Sequence, residues 1–514
     1  MFSKVKSCAV HGVDGRMIDV EADVNDGLPV FTMVGYLSSS VRESSERVRT
    51  ALKNSGFHLP PKRITINLSP ADMRKDGSGY DLAIATAVLL SLGVTAELPM
   101  EQTLVLGELS LDGSIKAIPG VLPMVICARE EGMTSCIVPK ENVQEAALVQ
   151  GISVIGVSSL KETMEYIKGI KEYENTNVEQ PAVDTSEYLY DIDFSDVVGQ
   201  ESIKRGMEIA AAGFHNVLLT GAAGAGKSML AKRLPTILPQ MSFEESLEVT
   251  KIYSVGGMLP PEGGLIHRRP FRAPHHTISE YALIGGGRVP TPGEVSFAHY
   301  GVLFLDELPE FSKPVLEVLR QPLEDRRIRI SRVQASYEFP ADFMFVAAMN
   351  PCPCGNYPDY RRCSCTEQQI HRYQSKVSGP LLDRIDIRME VKGVKQEVLF
   401  SKQKTESSKT IRARVEQARQ MQKDRFAGTG LLFNSQLDGK NLEEYITLSA
   451  EGKRLVLQLF EEQELSVRGV HRVLKLARTI ADLAGSEEIE NAHLQEAAFY
   501  RNQDVFAKEV LYGN

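Results

Sequence analysis

Tryptophan is missing from this chain of 514 residues, and aromatic residues account for only 7% of it. The sequence has no uninterrupted apolar stretch of about 18 residues, so we expect no transmembrane helix. Its N-terminal segment, MFSKVKSCAVHGVDGR, lacks the apolar core of a signal peptide. Hydrophobic residues at 43% and charged residues at 24% are typical of a folded globular protein, which excludes a mostly disordered or collagen-like chain.

Cysteine is also scarce, with seven residues, four of which fall between positions 352 and 365. Such crowding indicates a metal site more than a disulfide framework, and we therefore expect a reducing, cytoplasmic location. The chain carries 58 basic and 67 acidic residues, a net charge of −9. This excess of acid argues against a wholly basic nucleic-acid coat protein, but it is compatible with a local basic channel.

The pattern along the chain divides it into segments of different character. At about 150 residues per domain, the length predicts roughly three domains. Residues 1–168 alternate short strand-like and helix-like segments, which predicts a mixed α/β domain. Residues 169–190 are polar and acidic and are interpreted as a linker. Residues 191–395 alternate strands and helices and carry the strongest motifs, whereas residues 396–514 have a helical pattern.

A phosphate-binding loop is the most specific motif. The short apolar strand NVLLT runs directly into GAAGAGKS and then into a helical segment, which matches G-x-x-x-x-G-K-[ST] in its required context. Gly221, Gly224 and Gly226 let the backbone wrap around phosphates and direct N–H groups at them. We expect Lys227 to bind the β- and γ-phosphates of ATP, and the Ser228 hydroxyl to bind Mg²⁺.

A second motif, GVLFLDE, completes the predicted nucleotide site. Its four consecutive apolar residues indicate a buried parallel strand. Two carboxylates follow this strand, at the end where α/β proteins bind ligands. We expect Asp306 to contact Mg²⁺ through water and Glu307 to act as the general base that polarises the attacking water.

Two polar residues further along the chain are candidates for the same reaction. Asn350 follows the apolar strand FMFVAAM, where it can orient the attacking water. Arg384, in GPLLDRID, can reach the γ-phosphate bound by a neighbouring subunit and offset charge in the transition state. The alternative for Arg384 is a local ion pair with Asp383 or Asp386.

The cysteine cluster is a candidate zinc site. Two C-x-C pairs supply four thiolates, enough for a closed, tetrahedral structural site. The spacing is tighter than the common C-x₂-C pattern, and four reduced cysteines in a loop are the alternative. The residues are Cys352, Cys354, Cys363 and Cys365.

These motifs, together with RPFRAPHHTIS and MNPCPCGNYP, resemble the ComM/YifB family of magnesium-chelatase-like AAA+ ATPases over the whole chain. The resemblance implies a P-loop AAA+ core, with a parallel sheet and helices on both faces, and an all-α lid. It implies a homo-oligomeric ring, a hexamer, that acts on DNA as a branch-migration helicase in natural transformation or recombination. It assigns Asn350 to sensor 1, Arg384 to the arginine finger and Arg468 to sensor 2, which contacts the nucleotide.

The N-terminal segment resembles the proteolytic domain of Lon, which uses a Ser–Lys pair. In KDGSGYD, Gly79 takes the position of the nucleophilic serine, and Ser78 lies one residue earlier. The segment that corresponds to the partner lysine, IPGVLPM, contains no lysine. Because covalent catalysis needs a nucleophile and a base within hydrogen-bond reach, the resemblance implies a retained α/β fold without peptidase activity.

Three basic segments are candidate DNA contacts, because backbone phosphates require cations but no particular sequence. They are residues 320–335, residues 251–299, and the helical segment 411–425. An ordinary solvated or subunit-interface surface is the alternative for each. Two other functions remain open, namely an ATP-driven protein remodeller and a metal-insertion motor like magnesium chelatase, although the Lon-like domain disfavours the latter.

Overall fold

The structure is a computed structural model that describes residues 1–172, 190–260, 264–332, 335–359, 361–393, 405–462 and 465–501. Most of the predicted linker and the predicted boundary at residue 395 therefore lie outside the described residues. None of the helices in the described ranges is long and apolar enough to cross a membrane.

The N-terminal region is a mixed α/β domain around a seven-stranded sheet with the strand order β3-β4-β2-β1-β5-β8-β9. Its elements are β1 Phe2–His11, β2 Asp14–Asn25, β3 Phe31–Val34, α1 Ser39–Asn54, β4 Arg63–Ser69, α2 Asp81–Ser91, β5 Thr103–Val105, β6 Glu108–Leu109, β7 Ile115–Lys116, α3 Val121–Glu130, β8 Ser135–Pro139, α4 Val143–Ala146, β9 Ser153–Val157 and α5 Leu160–Ile167. Helix α2 is almost entirely apolar and buried, as its sequence predicts.

A tight turn between β1 and β2 joins this domain to the next one. The two strands pair antiparallel over their whole length, and Gly12, with φ +69°, lies in the turn between them. The side chain of Val13 inserts into the hydrophobic core of the central region, beside Ile252 and Phe339. The ring of His11 stacks on that of Tyr337 at 4.5 Å, so the turn is packed against the central region.

The central region is built on a five-stranded parallel sheet with the order β11-β14-β17-β10-β18. Its elements are α6 Glu201–Gly213, β10 Val217–Thr220, α7 Lys227–Arg233, α8 Phe243–Val255, β11 Phe271–Arg272, α9 Glu280–Ile284, β12 Gly285–Gly286, β13 Thr291–Pro292, α10 Glu294–Phe297, β14 Val302–Leu305, α11 Lys313–Val318, α12 Arg320–Asp325, β15 Arg327–Ser331, β16 Ser336–Pro340, β17 Met344–Met349, α13 Glu367–Gln374, α14 Gly379–Leu382 and β18 Ile387–Glu390.

Both faces of this sheet are covered, which explains why its strands are apolar throughout. Side chains alternate across the sheet. Val217 and Leu219 pack in one core, with residues of α6 and of the C-terminal helices. Leu218 packs in a second core, on the opposite face, with residues of α8 and α11. The predicted parallel-sheet core with helices on both faces is therefore confirmed.

The C-terminal region is helical wherever the structure describes it, as predicted. Its helices are α15 Ser408–Arg425, α16 Gly439–Tyr445, α17 Ala450–Glu462, α18 Val467–Leu483 and α19 Asn491–Arg501. Helices α15 and α18 pack against α6 of the central region through one continuous core. A buried carboxylate, Asp386, joins the two regions, since it accepts a hydrogen bond from Arg472 of α18 and lies 3.5 Å from His215. Burial alone would raise the pKa of Asp386, but Arg472 and His215 hold it far below its usual value.

Candidate nucleotide site and cysteine cluster

The parallel register brings three loops together at one edge of the central sheet. Thr220 of β10 is paired with Met349 of β17, and Leu305 of β14 is paired with Ala347 of the same strand. The residues that follow these strands therefore emerge side by side at the carboxyl ends, where α/β sheets bind ligands. These residues begin the phosphate loop, the carboxylate pair and the Asn350 turn.

The predicted nucleotide-binding side chains meet at this edge. The Ser228 hydroxyl donates a hydrogen bond of 2.5 Å to Oδ2 of Asp306. Lys227 Nζ donates to Oδ1 of Asn350 at 3.0 Å, and to the carbonyls of Gly221 and Ala222 at 2.7 and 2.8 Å. Burial lowers the pKa of Lys227, while Asp306 and Glu307 oppose this effect. A hydroxyl beside a carboxylate is an oxygen donor set that suits Mg²⁺.

Glycine is required where the phosphate loop adopts conformations that other residues rarely reach. Gly226 has φ +94° and immediately precedes helix α7, whose N-terminus faces the loop. A Cβ atom at Gly221 would lie 2.2 Å from the carbonyl oxygen of Val391. The loop can therefore direct backbone N–H groups towards a triphosphate only with glycine at these positions.

Glu307 has an unusual backbone conformation for a non-glycine residue, with φ 53° and ψ 47°. Such outliers are concentrated at functional sites. The backbone N–H of Glu307 donates to Oδ1 of Asp306 at 3.0 Å, and the Glu307 side chain is 58% exposed. Its carboxylate therefore projects from the strand end towards solvent, as a base that must reach a water molecule requires.

His276 is a site residue that sequence reasoning missed. Its Nδ1 atom lies 4.0 Å from Oε2 of Glu307, and its ring contacts that of His275 in a tilted arrangement, with 4.0 Å between the ring centroids. The two histidines follow β11, the edge strand beside β14. Because β11 has only two residues, the sequence contained no strand signal that would have placed them at this edge.

Arg384 and Arg468 lie at the opposite end of the sheet. The carbonyl of Arg384 accepts a 2.9 Å hydrogen bond from Asn216, which precedes β10, so Arg384 is at the amino ends of the strands. Four residues of β10 separate this end from the phosphate loop, a distance of about 13 Å. Arg468, at the start of α18, lines the same cavity as Arg384. Arg468, which was predicted to contact the nucleotide, therefore lies at the end of the sheet opposite to the phosphate loop of its own chain, and its contact with a nucleotide stays a prediction.

The expected alternative for Arg384 is corrected. Its partner is neither Asp383 nor Asp386 but Glu324, whose carboxylate accepts a hydrogen bond from NH2 of Arg384. Arg468 also lies within 3.9 Å of Glu324. The two arginines therefore form one cluster around a single carboxylate.

The four clustered cysteines have a geometry that fits a tetrahedral metal site. Their sulfur atoms all lie within 4.8 Å of one another. Cys352 Sγ lies 3.4 Å from Cys354 Sγ and 3.8 Å from Cys363 Sγ, with 3.6 Å between Cys354 and Cys363. Zinc–sulfur bonds of about 2.3 Å at tetrahedral angles place sulfur atoms about 3.8 Å apart. Cys365 completes the set.

The cysteine cluster is packed against the phosphate loop. Gly355, in the turn that follows the first cysteine pair, has φ +78°, and a Cβ atom there would lie 3.3 Å from the backbone nitrogen of Ala223. The N–H of this glycine donates to the carbonyl of Cys352 at 3.0 Å. Hydrogen bonds from the N–H groups of Asn356 and Ser364 lower the pKa of the Cys354 thiol to about 5, which favours the thiolate form that binds metals. Although a hydrogen bond from the backbone of Cys365 opposes the change, burial and the side chains of Cys354 and Cys352 raise the pKa of Cys363 to about 12.

Several arginines of the basic segments have structural partners. Arg269 is buried and forms a 3.1 Å ion pair with Glu245, and Arg272 pairs with Glu294 at 2.5 Å. Arg419 of the 411–425 helix is buried over the ring of Phe433. On the β15–β16 hairpin, Arg327 and Arg329 share the carboxylate of Glu338 and remain more than half exposed. The hairpin therefore offers cations to solvent, whereas Arg269, Arg272 and Arg419 stabilise the fold.

The positions of the N-terminal domain that were compared with the catalytic pair of Lon take part in other interactions. A Cβ atom at Gly79 would lie 3.1 Å from Cδ1 of Ile118. The Ser78 hydroxyl donates to the carboxylate of Glu108. The buried Lys75 donates from Nζ to the carbonyls of Pro70 and Met73, and burial lowers its pKa. Neither Ser78 nor Lys75 is therefore arranged as half of a Ser–Lys pair.

A phosphate loop, a carboxylate pair and a polar strand end on a parallel β11-β14-β17-β10-β18 sheet, followed by a helical region, define a P-loop ATPase of the AAA+ class. Family models match three stretches of the chain. They are described as "Magnesium chelatase, subunit ChlI" (residues 193–399), "Subunit ChlI of Mg-chelatase" (residues 20–142) and "Magnesium chelatase, subunit ChlI C-terminal" (residues 405–501).

Curated relatives match nearly the full chain. The uncharacterized protein YifB of Escherichia coli is 41% identical over 506 residues, covering 98% of this chain and 97% of its own. The competence protein ComM of Haemophilus influenzae is 40% identical over 503 residues, covering 97% of both chains. The chain therefore belongs to the ComM/YifB family of magnesium-chelatase-like AAA+ ATPases.

The N-terminal region has a separate likeness. Lon protease 2 of Bacillus subtilis is 30% identical over 183 residues, which cover 32% of this chain and 32% of the protease. The predicted Lon-like region is thus confirmed as a similarity of sequence.

Proposed function

We propose that the chain hydrolyses ATP as one subunit of a ring motor, and that this motor acts on DNA as a branch-migration helicase in natural transformation or recombination. The observation that carries the proposal is the meeting of Lys227, Ser228, Asp306 and Asn350 at one edge of the sheet, with Glu307 directly beside them. These residues come from three separate loops, and a nucleotide site accounts for their convergence at this edge.

In the proposed reaction, the phosphate-loop N–H groups and Lys227 bind the triphosphate. Ser228 and Asp306 would hold Mg²⁺, which supplies positive charge to the β- and γ-phosphates. Glu307 accepts a proton from water as the water oxygen bonds to the γ-phosphorus and the bond to ADP breaks. Asn350, already within 3.0 Å of Lys227 Nζ, orients the water on the γ-phosphate side.

The position of the two arginines supports a ring. Arg384 and Arg468 lie at the end of the sheet opposite to the nucleotide edge of their own chain. In a head-to-tail ring, such a surface faces the nucleotide edge of the next subunit. Both guanidinium groups then act on the neighbour's γ-phosphate, and we propose a hexamer from the family resemblance.

Support for DNA as the partner comes from a relative and from the hairpin. The relative from Haemophilus influenzae is named a competence protein, and competence is the uptake of DNA. The β15–β16 hairpin carries two exposed arginines, Arg327 and Arg329, against one acidic partner. Backbone contacts of this kind require no particular sequence, which suits a motor that moves along DNA.

The decisive experiment compares ATP turnover without DNA and with single-stranded, duplex and branched DNA at two salt concentrations. We expect stimulation by branched DNA that weakens as salt rises. The Lys227→Ala variant is the control, since it must lose turnover under every condition. An unchanged rate with all three DNA structures would contradict the helicase proposal while leaving the ATPase proposal intact.

One observation favours a protein remodeller as a second candidate. A cavity of about 1220 Å³ lies between the N-terminal domain and the β15–β16 hairpin, and Ser78, Gly79 and Ile118 are among its lining residues. A peptide groove retained without peptidase chemistry fits this description. Stimulation by an unfolded protein, and by none of the DNA structures, would favour the remodeller. Stimulation only by a metal-insertion substrate would favour the motor of the magnesium-chelatase type.

We further propose that the cysteine cluster holds a structural zinc ion. The sulfur spacing supports this assignment, and the N–H of Tyr357 donates to Cys352 Sγ at 3.4 Å, as backbone N–H groups commonly do to zinc-bound thiolates. Four thiolates leave no open coordination position, so the metal would fix the loop rather than take part in the reaction. Free thiolates at this density also fit a reducing cytoplasm.

A further inference from the structure

One carboxylate is shared by the two arginines that the proposed reaction needs. Glu324 accepts a hydrogen bond from NH2 of Arg384 through Oε2, and its Oε1 lies 3.9 Å from NH2 of Arg468. All three side chains line a cavity of about 220 Å³ between the central and C-terminal regions. The Arg384 side chain is only 13% exposed, so this pairing holds its guanidinium inward.

This arrangement leaves the guanidinium group of Arg384 incompletely bonded. NH1 donates to the carbonyl of Pro380 at 2.8 Å and NH2 donates to Glu324, but the buried Nε finds no partner among the described residues. A guanidinium has five N–H groups in a planar fork that matches phosphate oxygens. A triphosphate from a neighbouring subunit would therefore compete directly with Glu324 for Arg384.

Glu324 is also connected to the hairpin that is proposed to face DNA. It lies near the end of α12, and Arg326, with φ 55°, forms the turn from this helix into β15. The N–H of Arg326 donates to the carbonyl of Pro322 at 3.0 Å, and its carbonyl accepts from Ala341 at 2.9 Å, just after β16. Because the hairpin base and the end of α12 share these bonds, a displacement of the hairpin would be transmitted to the end of α12, which carries Glu324.

We propose that Glu324 is a positioning residue that holds Arg384 and Arg468 away from the γ-phosphate of the neighbouring subunit and releases them when the hairpin moves. This inference rests on the proposed ring ATPase and adds to it a route from DNA contact to hydrolysis. A ligand that displaces the hairpin and a triphosphate that binds the two arginines both favour the conformation in which the arginines are released from Glu324. Each ligand therefore favours the binding of the other.

The test is the Glu324→Gln variant, which keeps the shape of the side chain and removes its charge. Basal kcat without DNA should rise about 1.5- to fivefold, the range for an ion pair that is partly exposed. The KM for ATP should change little, because the phosphate loop is untouched. The ratio of DNA-stimulated to basal turnover should fall towards one. A residue that merely stabilised the fold would lower turnover and would not abolish the response to DNA.

The matched control is Glu317→Gln, which removes an ion pair of 2.6 Å with Arg320 next to the same helix. This variant should leave basal turnover and the DNA response at wild-type values. Basal turnover of Glu324→Gln that is equal to or below wild type would overturn the inference.

The Arg384→Ala variant separates the two proposals. If it loses turnover while Glu324→Gln behaves as wild type, the ring ATPase stands and the positioning role falls; if Arg384→Ala retains turnover, the shared site itself is wrong.

Discussion

Two inactive variants of this chain should restore activity to each other when they are mixed. Lys227→Ala removes the phosphate contact of a subunit's own nucleotide site, whereas Arg384→Ala removes the group that the subunit offers to its neighbour. The structure places these residues at opposite ends of the central sheet, about 13 Å apart or more. We therefore expect a site that contains both residues to form between two subunits.

The size of the effect follows from counting interfaces. Arginines of this type contribute about a thousandfold or more to turnover, so each variant alone should be nearly inactive. In an equimolar mixture that assembles at random, an intact phosphate loop meets an intact arginine at about one quarter of the interfaces of a closed ring. Turnover per subunit should therefore approach about a quarter of the wild-type rate, if each interface works independently.

The assay is steady-state ATP turnover after the two variants are mixed and allowed to exchange subunits. A matched control mixes Lys227→Ala with Glu307→Gln, because both changes affect a subunit's own nucleotide edge and no interface regains a complete site. The reasoning would be refuted by a Lys227→Ala and Arg384→Ala mixture that is no more active than its components. That result would mean that Arg384 acts within its own chain or not at all.

Three further outcomes are expected. Glu307→Gln should bind a fluorescent ATP analogue with wild-type affinity yet lose turnover, and hydrolysis at the parental rate would exclude Glu307 as the base. Asp386→Asn should lower the free energy of unfolding by about 3 kcal/mol in urea titrations, while Asp383→Asn, half exposed, should have little effect. Because the folded pKa of Asp386 is depressed, this stabilisation persists throughout neutral pH and is lost only in strong acid. Cys354→Ser should remove zinc, measured by elemental analysis of untagged protein, and should weaken ATP binding through the phosphate-loop contact of Gly355.

The nucleotide edge could be predicted because each motif is contiguous in sequence. Strand, loop and helix of the phosphate site follow one another directly, so a single segment defines the backbone geometry. Asp306 and Asn350 follow apolar strands that had to lie in a parallel sheet, and all parallel strands end at the same edge. Three loops could therefore be placed together without knowledge of long-range packing.

The position of Arg468 could not be predicted in the same way. Apolar residues recur at helical spacing along α18, and Val473 and Ala477 among them are buried. Periodicity defines which side of a helix is buried but not which end of the sheet the helix meets. The end of the sheet at which α18 lies depends on a long-range contact. Arg472 of this helix contacts Asp386, which is 86 residues away in the chain.

Charge counted along the basic segments did not show which of their arginines have acidic partners. Arg269 and Arg272 increase the positive charge of residues 251–299, but their partners Glu245 and Glu294 meet them only in the folded protein. Counting charge within a segment therefore overestimates how many cations are available to DNA. The exposed hairpin arginines are the ones that the fold leaves at the surface.

The N-terminal domain is connected to the ATPase core through the segment that was compared with Lon. The segment that corresponds to the Lon lysine now contacts α8, since the Gly120 N–H donates to the Ser254 carbonyl at 3.0 Å. Ser254 in turn donates from its hydroxyl to Glu145, whose carboxylate also accepts the N–H of Leu122 at 2.9 Å. Burial raises the pKa of Glu145, so these bonds are needed to keep the carboxylate in the interface. On the same side, Val13 lies in the hydrophobic core of the central region, and the His11 ring stacks on Tyr337, which pairs with Ile330 near the tip of the hairpin. We therefore expect any movement of the hairpin to displace the N-terminal domain as well.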